Sequence, residues 1–239
     1  MPPRESYRAV VEFWPLTGWL TGGVMAAVLL AAALILPYYI AVVLAVASRL
    51  LLTGAFHEDG LADFFDGFGG GGNDRERILA IMKDSRTGSY GVIGTVVYLL
   101  ILTACLYSLP PYVAAFTVLA GDPFAKMVAG QLIMMLPYAR KEEEAKAKTI
   151  YRKMSVPACV GLAVQGLVPI AAYVLFLPIH IEWAAVIFMP CIVMYLLYLL
   201  LRRTLRGYTG DCCGAVFLLV ELAFYLAVAG SVHYGSTVG

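Results

Sequence analysis

Charge is scarce in this sequence. Only 14% of its 239 residues are Asp, Glu, Lys or Arg, against about a quarter in an ordinary soluble domain. A surface wetted on every side is therefore excluded, and the 61% of residues that are hydrophobic must face something other than water. The formal net charge is only +1, and no basic stripe is present, which sets nucleic-acid binding aside. Cysteine is also sparse. Cys105, Cys159 and Cys191 sit in apolar runs, where a thiol behaves as a small core residue. Cys212 and Cys213 are neighbours, so neither a disulfide framework nor a zinc spacing is visible. Internal repeats are lacking too.

Long apolar runs are abundant instead, and a bilayer-spanning helix needs about 20 mostly apolar residues. The expected fold is all-α: a polytopic integral membrane helix bundle forming one transmembrane domain over 1–239. Seven spans are expected, at 19–36, Tyr38–Thr53, 92–109, 112–136, 157–177, 183–201 and 215–232. Arg4 and Arg8 precede the first run as in a signal peptide, but six further runs mark it as a retained span. The second span is the shortest, and a tilted or partly re-entrant path suits it. Pro37 and the pair Pro110 and Pro111 mark tight turns between hairpin partners.

Basic residues of short loops stay in the cytoplasm. Of the 17 Lys and Arg residues, 15 fall in the N-terminus and in the connections 54–91, 137–156 and 202–214. The other two, Arg49 and Lys126, lie within spans. Opposite connections carry none, so the expected topology has a cytoplasmic N-terminus and an outside C-terminus in the cell membrane. Within 141–153, Glu142 with Lys146 and Glu144 with Lys148 are i,i+4 pairs and predict a short surface helix. The four glycines at 69–72 read as a hinge or linker, or as a place of close approach.

The densest chemistry is G-A-F-H-E-D-G-L-A-D-F-F-D-G at 54–67. Asp59, Asp63 and Asp66 follow i, i+4, i+7 spacing and share one face of a helix. Carboxylates stacked at a low-dielectric edge repel unless a cation compensates them. Their hard oxygens suit Mg²⁺, which often bridges protein carboxylates to a substrate phosphate. His57 beside them is a candidate general base. In I-M-K-D-S-R-T-G-S-Y-G at 81–91, Asp84 is a further candidate ligand and Arg86 a candidate phosphate holder. In R-R-T-L-R-G-Y-T-G-D at 202–211, Thr209 and Asp211 form a turn that delivers a carboxylate to the bundle mouth. Asp122, Lys126 and Glu221 sit inside spans, where ionisable groups face a bundle interior and need partners. Asp122 and Lys126 are i,i+4, so mutual neutralisation is expected.

Three of these blocks, F-H-E-D-G-L-A-D-F-F-D-G, M-K-D-S-R-T-G-S-Y-G and R-T-L-R-G-Y-T-G-D-C-C-G-A, resemble the cobalamin synthase family, the adenosylcobinamide-GDP ribazoletransferases. P-Y-A-R at 137–140 resembles a further family block, and the likeness runs over about 54–225. It implies a membrane-bound, Mg²⁺-dependent enzyme of late vitamin B12 biosynthesis. Its substrates would be adenosylcobinamide-GDP and α-ribazole or α-ribazole 5′-phosphate, with GMP as leaving group. The resemblance implies that Asp59, Asp63, Asp66 and Asp84 hold the metal. It makes His57, Asp59, Asp63 and Arg86 catalytic. Lys126, Arg140, Thr209, Asp211 and Glu221 would contact substrate. The chain departs from the pattern at Lys126, where an arginine is expected, after Arg140, where a Gly-rich run gives way to Lys141-Glu142-Glu143-Glu144, and near Leu218, where a further acid is expected. The sequence leaves homo-oligomerisation open.

Two other readings compete. CDP-alcohol phosphotransferases also place aspartates on cytoplasmic helix ends, but their D-G-x-x-A-R run is missing here. A secondary transporter would use Asp122, Lys126 and Glu221 as an ion path. Most acids of this chain lie instead at the cytoplasmic edge, which favours chemistry on a soluble substrate.

Overall fold

The protein is described by a computed structural model covering residues 9–140, 151–177 and 181–238. Most of the surface helix expected at 141–153 lies outside these residues. The described residues form nine α-helices and no strand, as the periodicity predicts. After a 3-10 turn at Val10–Phe13 come α1 (Trp14–Ala33), α2 (Tyr38–Thr53), α3 (Phe56–Gly71), α4 (Arg75–Ile81), α5 (Ser89–Tyr107), α6 (Pro111–Met135), α7 (Val156–Phe176), α8 (Trp183–Thr204) and α9 (Gly210–Val238).

Six of the helical segments, counting Val10–Ala33 as one, are long and apolar enough to cross a membrane. The pair α2 and α3 passes the same test jointly but is bent by 91°, and counting it gives the expected seven. The bend has a local cause. Gly54 (φ 63°) and Ala55 (φ 55°) take successive left-handed conformations, which end one helix and re-aim the next. The first span starts earlier than hydropathy predicts because Pro15 stands in the first turn of α1, where a missing N–H costs nothing. It ends at Ala33, and 34–36 form the turn into Pro37.

The connection expected at 54–91 is mostly helical. Its glycines are not a hinge: Gly69–Gly71 belong to α3, and only Gly72 (φ 61°) breaks it. Small size matters because α4 lies against this helix. A Cβ on Gly67 would come within 2.5 Å of Met82, and one on Gly71 would strike Ile78.

α6 and α9 form the centre, each 83% buried over its most apolar stretch. α1 and α7 flank α6, α3 and α8 flank α9, α2 packs on α1, and α5 covers α3. α7 and α8 are only 28% and 22% buried, so their leucine and valine faces are left for lipid. α1 approaches α6 closely, with Gly18 against the Pro123 backbone.

The chain path brings the connecting segments to two ends. At one end, the Tyr38 hydroxyl donates to Leu106 O (2.9 Å) and Leu109 O (2.8 Å), joining the start of α2 to the end of α5. At the other, Tyr138 and Tyr208 form an isolated parallel bridge. There Ala139 N–H donates to Tyr208 O at 2.8 Å and Tyr208 N–H donates to Pro137 O at 3.0 Å.

A Cβ at position 18 would meet the Pro123 backbone at 2.8 Å, and backbone cannot rotate away. Gly18→Val should therefore destabilise the bundle by about 1–3 kcal/mol, the usual cost of overpacking, read as a lower unfolding midpoint in detergent.

Candidate active site

All the chemistry-bearing blocks meet at the end that carries the Tyr138–Tyr208 bridge. α4 secures the junction. Asp74 caps it, accepting from Glu76 N–H (2.9 Å) and Arg77 N–H (3.2 Å). Arg75 then donates to Leu205 O (2.8 Å) and Ala139 O (2.6 Å), tying both loops to one guanidinium. Arg140 donates to Leu79 O at 2.9 Å. Arg75 was not singled out from sequence, because its acceptors are backbone carbonyls that carry no residue signature.

α3 lies across this end and packs on the first turns of α9 through small residues. A Cβ on Gly60 would sit 3.1 Å from the backbone of Asp211, and one on Gly214 would sit 3.3 Å from His57 O. Asp211 is thus brought beside the 57–66 block, as its turn predicts. Thr209 has a different duty from the expected substrate contact. It is buried, and its hydroxyl accepts from Cys212 N–H at 3.3 Å, capping α9.

The three expected aspartates of α3 part company. Asp59 is exposed and Asp63 half-buried. Asp66 is buried, and its carboxylate accepts from Gly88 N–H (2.6 Å) and Gly91 N–H (2.8 Å). It caps the start of α5, where a carboxylate also faces the positive end of the helix dipole. Asp84 does not join the others either. It is bound by its own neighbour Arg86, whose backbone and side-chain nitrogens donate to it at 2.6–3.1 Å. Those bonds hold the Asp84 carboxyl below its ordinary range and raise Arg86. Among the described residues no three His, Cys, Asp or Glu side chains gather as a cation cage.

Asp59 and Asp63 stand one turn apart on α3, the first exposed and the second half-buried, with the buried Asp211 near Gly60 of the same helix. Two carboxylates are what Mg²⁺ commonly takes from a protein when substrate phosphate and water complete its shell. The set therefore fits a cation shared with a substrate, and not a closed protein site. The phenols nearby are donors and not bases. Burial raises Tyr138 and Tyr208, and pushes Tyr151 up to about 12.

Beneath this face lie two closed ion pairs. Lys126 donates to Asp122 and, at 3.0 Å, to Thr21, whose hydroxyl donates to Asp122 at 2.6 Å. Its ammonium also stands 4.3 Å above the Phe217 ring, and His57 packs on that ring with centroids 4.9 Å apart. The mutual neutralisation read from i,i+4 spacing is present, and it leaves Lys126 only 4% exposed, buried below the open face.

Glu221 is also buried, and its partner is Arg49. Arg49 Nη1 donates to both carboxylate oxygens at 2.7 and 2.6 Å, and Nη2 donates to the Tyr98 hydroxyl at 3.0 Å. Nη2 further lies 3.5 Å from Glu58 Oε1, and Tyr225 donates to Glu221 at 2.8 Å. Each acid on the supposed transport path thus has its own cation. Arg49 and Glu58 were not read as site residues. The available signal was an arginine inside a span, which must find an acid.

Asp66→Ala removes the acceptor of two buried N–H groups and should cost about 1–3 kcal/mol, measured by thermal unfolding in detergent. Activity per folded molecule should survive better than in Asp63→Asn. Unchanged stability with lost activity would return Asp66 to the ligand set.

A family model described as cobalamin-5-phosphate synthase matches residues 1–229. A protein of Shewanella frigidimarina named adenosylcobinamide-GDP ribazoletransferase is 38% identical over 228 residues, covering 91% of this chain and 82% of its own. One of the same name from Leptothrix cholodnii is 38% identical over 239 residues, covering 96% and 88%. A third, from Leptospira interrogans, is 32% identical over 226 residues, covering 92% and 84%. No solved structure matches the chain. The matches run through every block that the fold gathers at the Tyr138–Tyr208 end, and the chain belongs to the cobalamin-5-phosphate synthase family.

Proposed function

We propose that this chain joins adenosylcobinamide-GDP to α-ribazole or its 5′-phosphate, releasing GMP, at the cytoplasmic face of the cell membrane. One observation supports this most: the fold brings Asp59 and Asp63 of α3, Asp211, Arg86 and the loop at Arg140 to a single end of the bundle. The relatives named adenosylcobinamide-GDP ribazoletransferase supply the substrate class. The charge asymmetry of the sequence supplies the side.

In the step, the ribose 3′-hydroxyl oxygen of the ribazole bonds to the phosphorus on the cobinamide side of the diphosphate. The bond from that phosphorus to the bridging oxygen breaks, its electron pair leaves with GMP, and the hydroxyl gives up its proton. Asp59 and Asp63 would hold Mg²⁺ together with the diphosphate, and the ion supplies charge neutralisation there. Arg86 is 88% exposed at its side chain, free to swing from Asp84 onto a phosphate with its planar fork. Arg140 offsets negative charge from the opposite loop. His57 has its ring against Phe217, so an open-face carboxylate is the better-placed proton acceptor. Lys126 and Glu221 act from below by fixing α6 and α9, and contact with substrate is not their part.

The purified protein in bilayer discs, given adenosylcobinamide-GDP, α-ribazole and Mg²⁺, should yield the joined cobalamin and GMP in equal amounts by chromatography. No product with either ribazole form would overturn the reading. Asp63→Asn should lower GMP release by about 100-fold or more while inserting normally. Full turnover by that variant would remove the α3 carboxylates from the chemistry.

A further inference from the structure

We infer that Arg49 is a positioning residue for this reaction. Through Glu58 it sets the rotation of α3 about its own axis, and so the direction in which Asp59 and Asp63 face. The inference rests on the proposed role of α3.

Four observations carry it. First, glycines bring α3 close to α9 and α4. Gly60 lies on the Asp211 backbone, and Gly67 and Gly71 lie on α4. These contacts set how near α3 lies, and Leu61 and Phe64 bury its apolar side in the core; fixing the bearing of its polar face takes directional contacts as well. Second, two charged contacts hold the helix on its inner side, about two turns apart. Asp66 grips the amides that begin α5, and Glu58 reaches Arg49 at 3.5 Å.

Third, Arg49 is a fixed post. Its guanidinium is 2% exposed and is held by Glu221 on α9 and Tyr98 on α5. One side chain from α2 thus references α3 to two further helices. Fourth, stability alone does not account for the arrangement. Buried ion pairs are commonly no better than apolar residues of similar volume. Here Arg49 Nε and Glu58 Oε2 are buried with no hydrogen-bond partner, a further cost. What the arrangement offers in return is a defined geometry.

The lever is short. Side chains stand about 5–6 Å from a helix axis, so a 20° rotation moves a carboxylate by about 2 Å. Misplacement by about 1 Å is enough to cost on the order of 100-fold in rate. Asp59 directly follows Glu58 and receives that rotation in full.

Glu58→Gln keeps the shape of the side chain and removes its charge. Its kcat should fall by about 10–100-fold, with KM for both substrates within about threefold and the unfolding midpoint within about 3 °C of the parent. Arg49→Lys, paired with Glu221 intact, should recover part of the rate lost in Arg49→Met. A second readout needs no turnover. With the native cysteines replaced by alanine, the Asp59→Cys variant should react with a water-soluble maleimide at a rate changed several-fold by Glu58→Gln. Wild-type kcat in Glu58→Gln, or an unchanged labelling rate, overturns the inference. If the parent protein releases no GMP, the proposed reaction fails, and the labelling arm still decides whether Arg49 sets α3.

Discussion

A guanidinium removed from water must find all its partners inside the protein, and Arg49 is where this constraint bears hardest. It draws on Glu221, Tyr98 and Glu58, so α2, α9, α5 and α3 are located against one group. Loss of Glu221 would leave charge stranded in a low-dielectric interior. The second pair, Lys126 with Asp122 and Thr21, does the same for α6 and α1. Together they hold the two central helices to their neighbours with bonds whose directions are defined, which lipid-like side chains cannot provide.

The bend after α2 follows from a different economy. Two left-handed residues, Gly54 and Ala55, turn the chain through 91°, and α3 then lies across the end of the bundle. Asp59 is exposed and Asp63 half-buried, while the inner face of α3 turns Glu58 and Asp66 to Arg49 and the start of α5. Glycines at the contacts let the helix sit on the α9 backbone at Asp211 and on α4. A sharp turn, glycine contacts and two inward acids therefore set how α3 lies across the end of the bundle.

Much of this was legible in residue order. Apolar length and the placement of Lys and Arg gave the span count, and the matching blocks named the family. The site was legible as a region but not as a set of roles. Asp59, Asp63 and Asp66 have equal standing on a helical wheel. Only the approach of Gly88 and Gly91 makes Asp66 a cap. Asp84 and Arg86 were read as separate tools and are found bound to each other. Thr209, read as a substrate contact, caps α9. Glu58 lay unremarked between two candidates because its partner is distant in sequence.

The division has a physical reason. Transfer of apolar groups from water and the sidedness of basic loops act on each segment by itself, so sequence alone determined that this is a helical membrane bundle with its charged blocks on one side. Hydrogen bonds and ion pairs fall off within a few ångströms and depend on direction. Which carboxylate faces solvent, which caps a helix and which meets Arg49 was therefore decided only when helices remote in the chain were packed together.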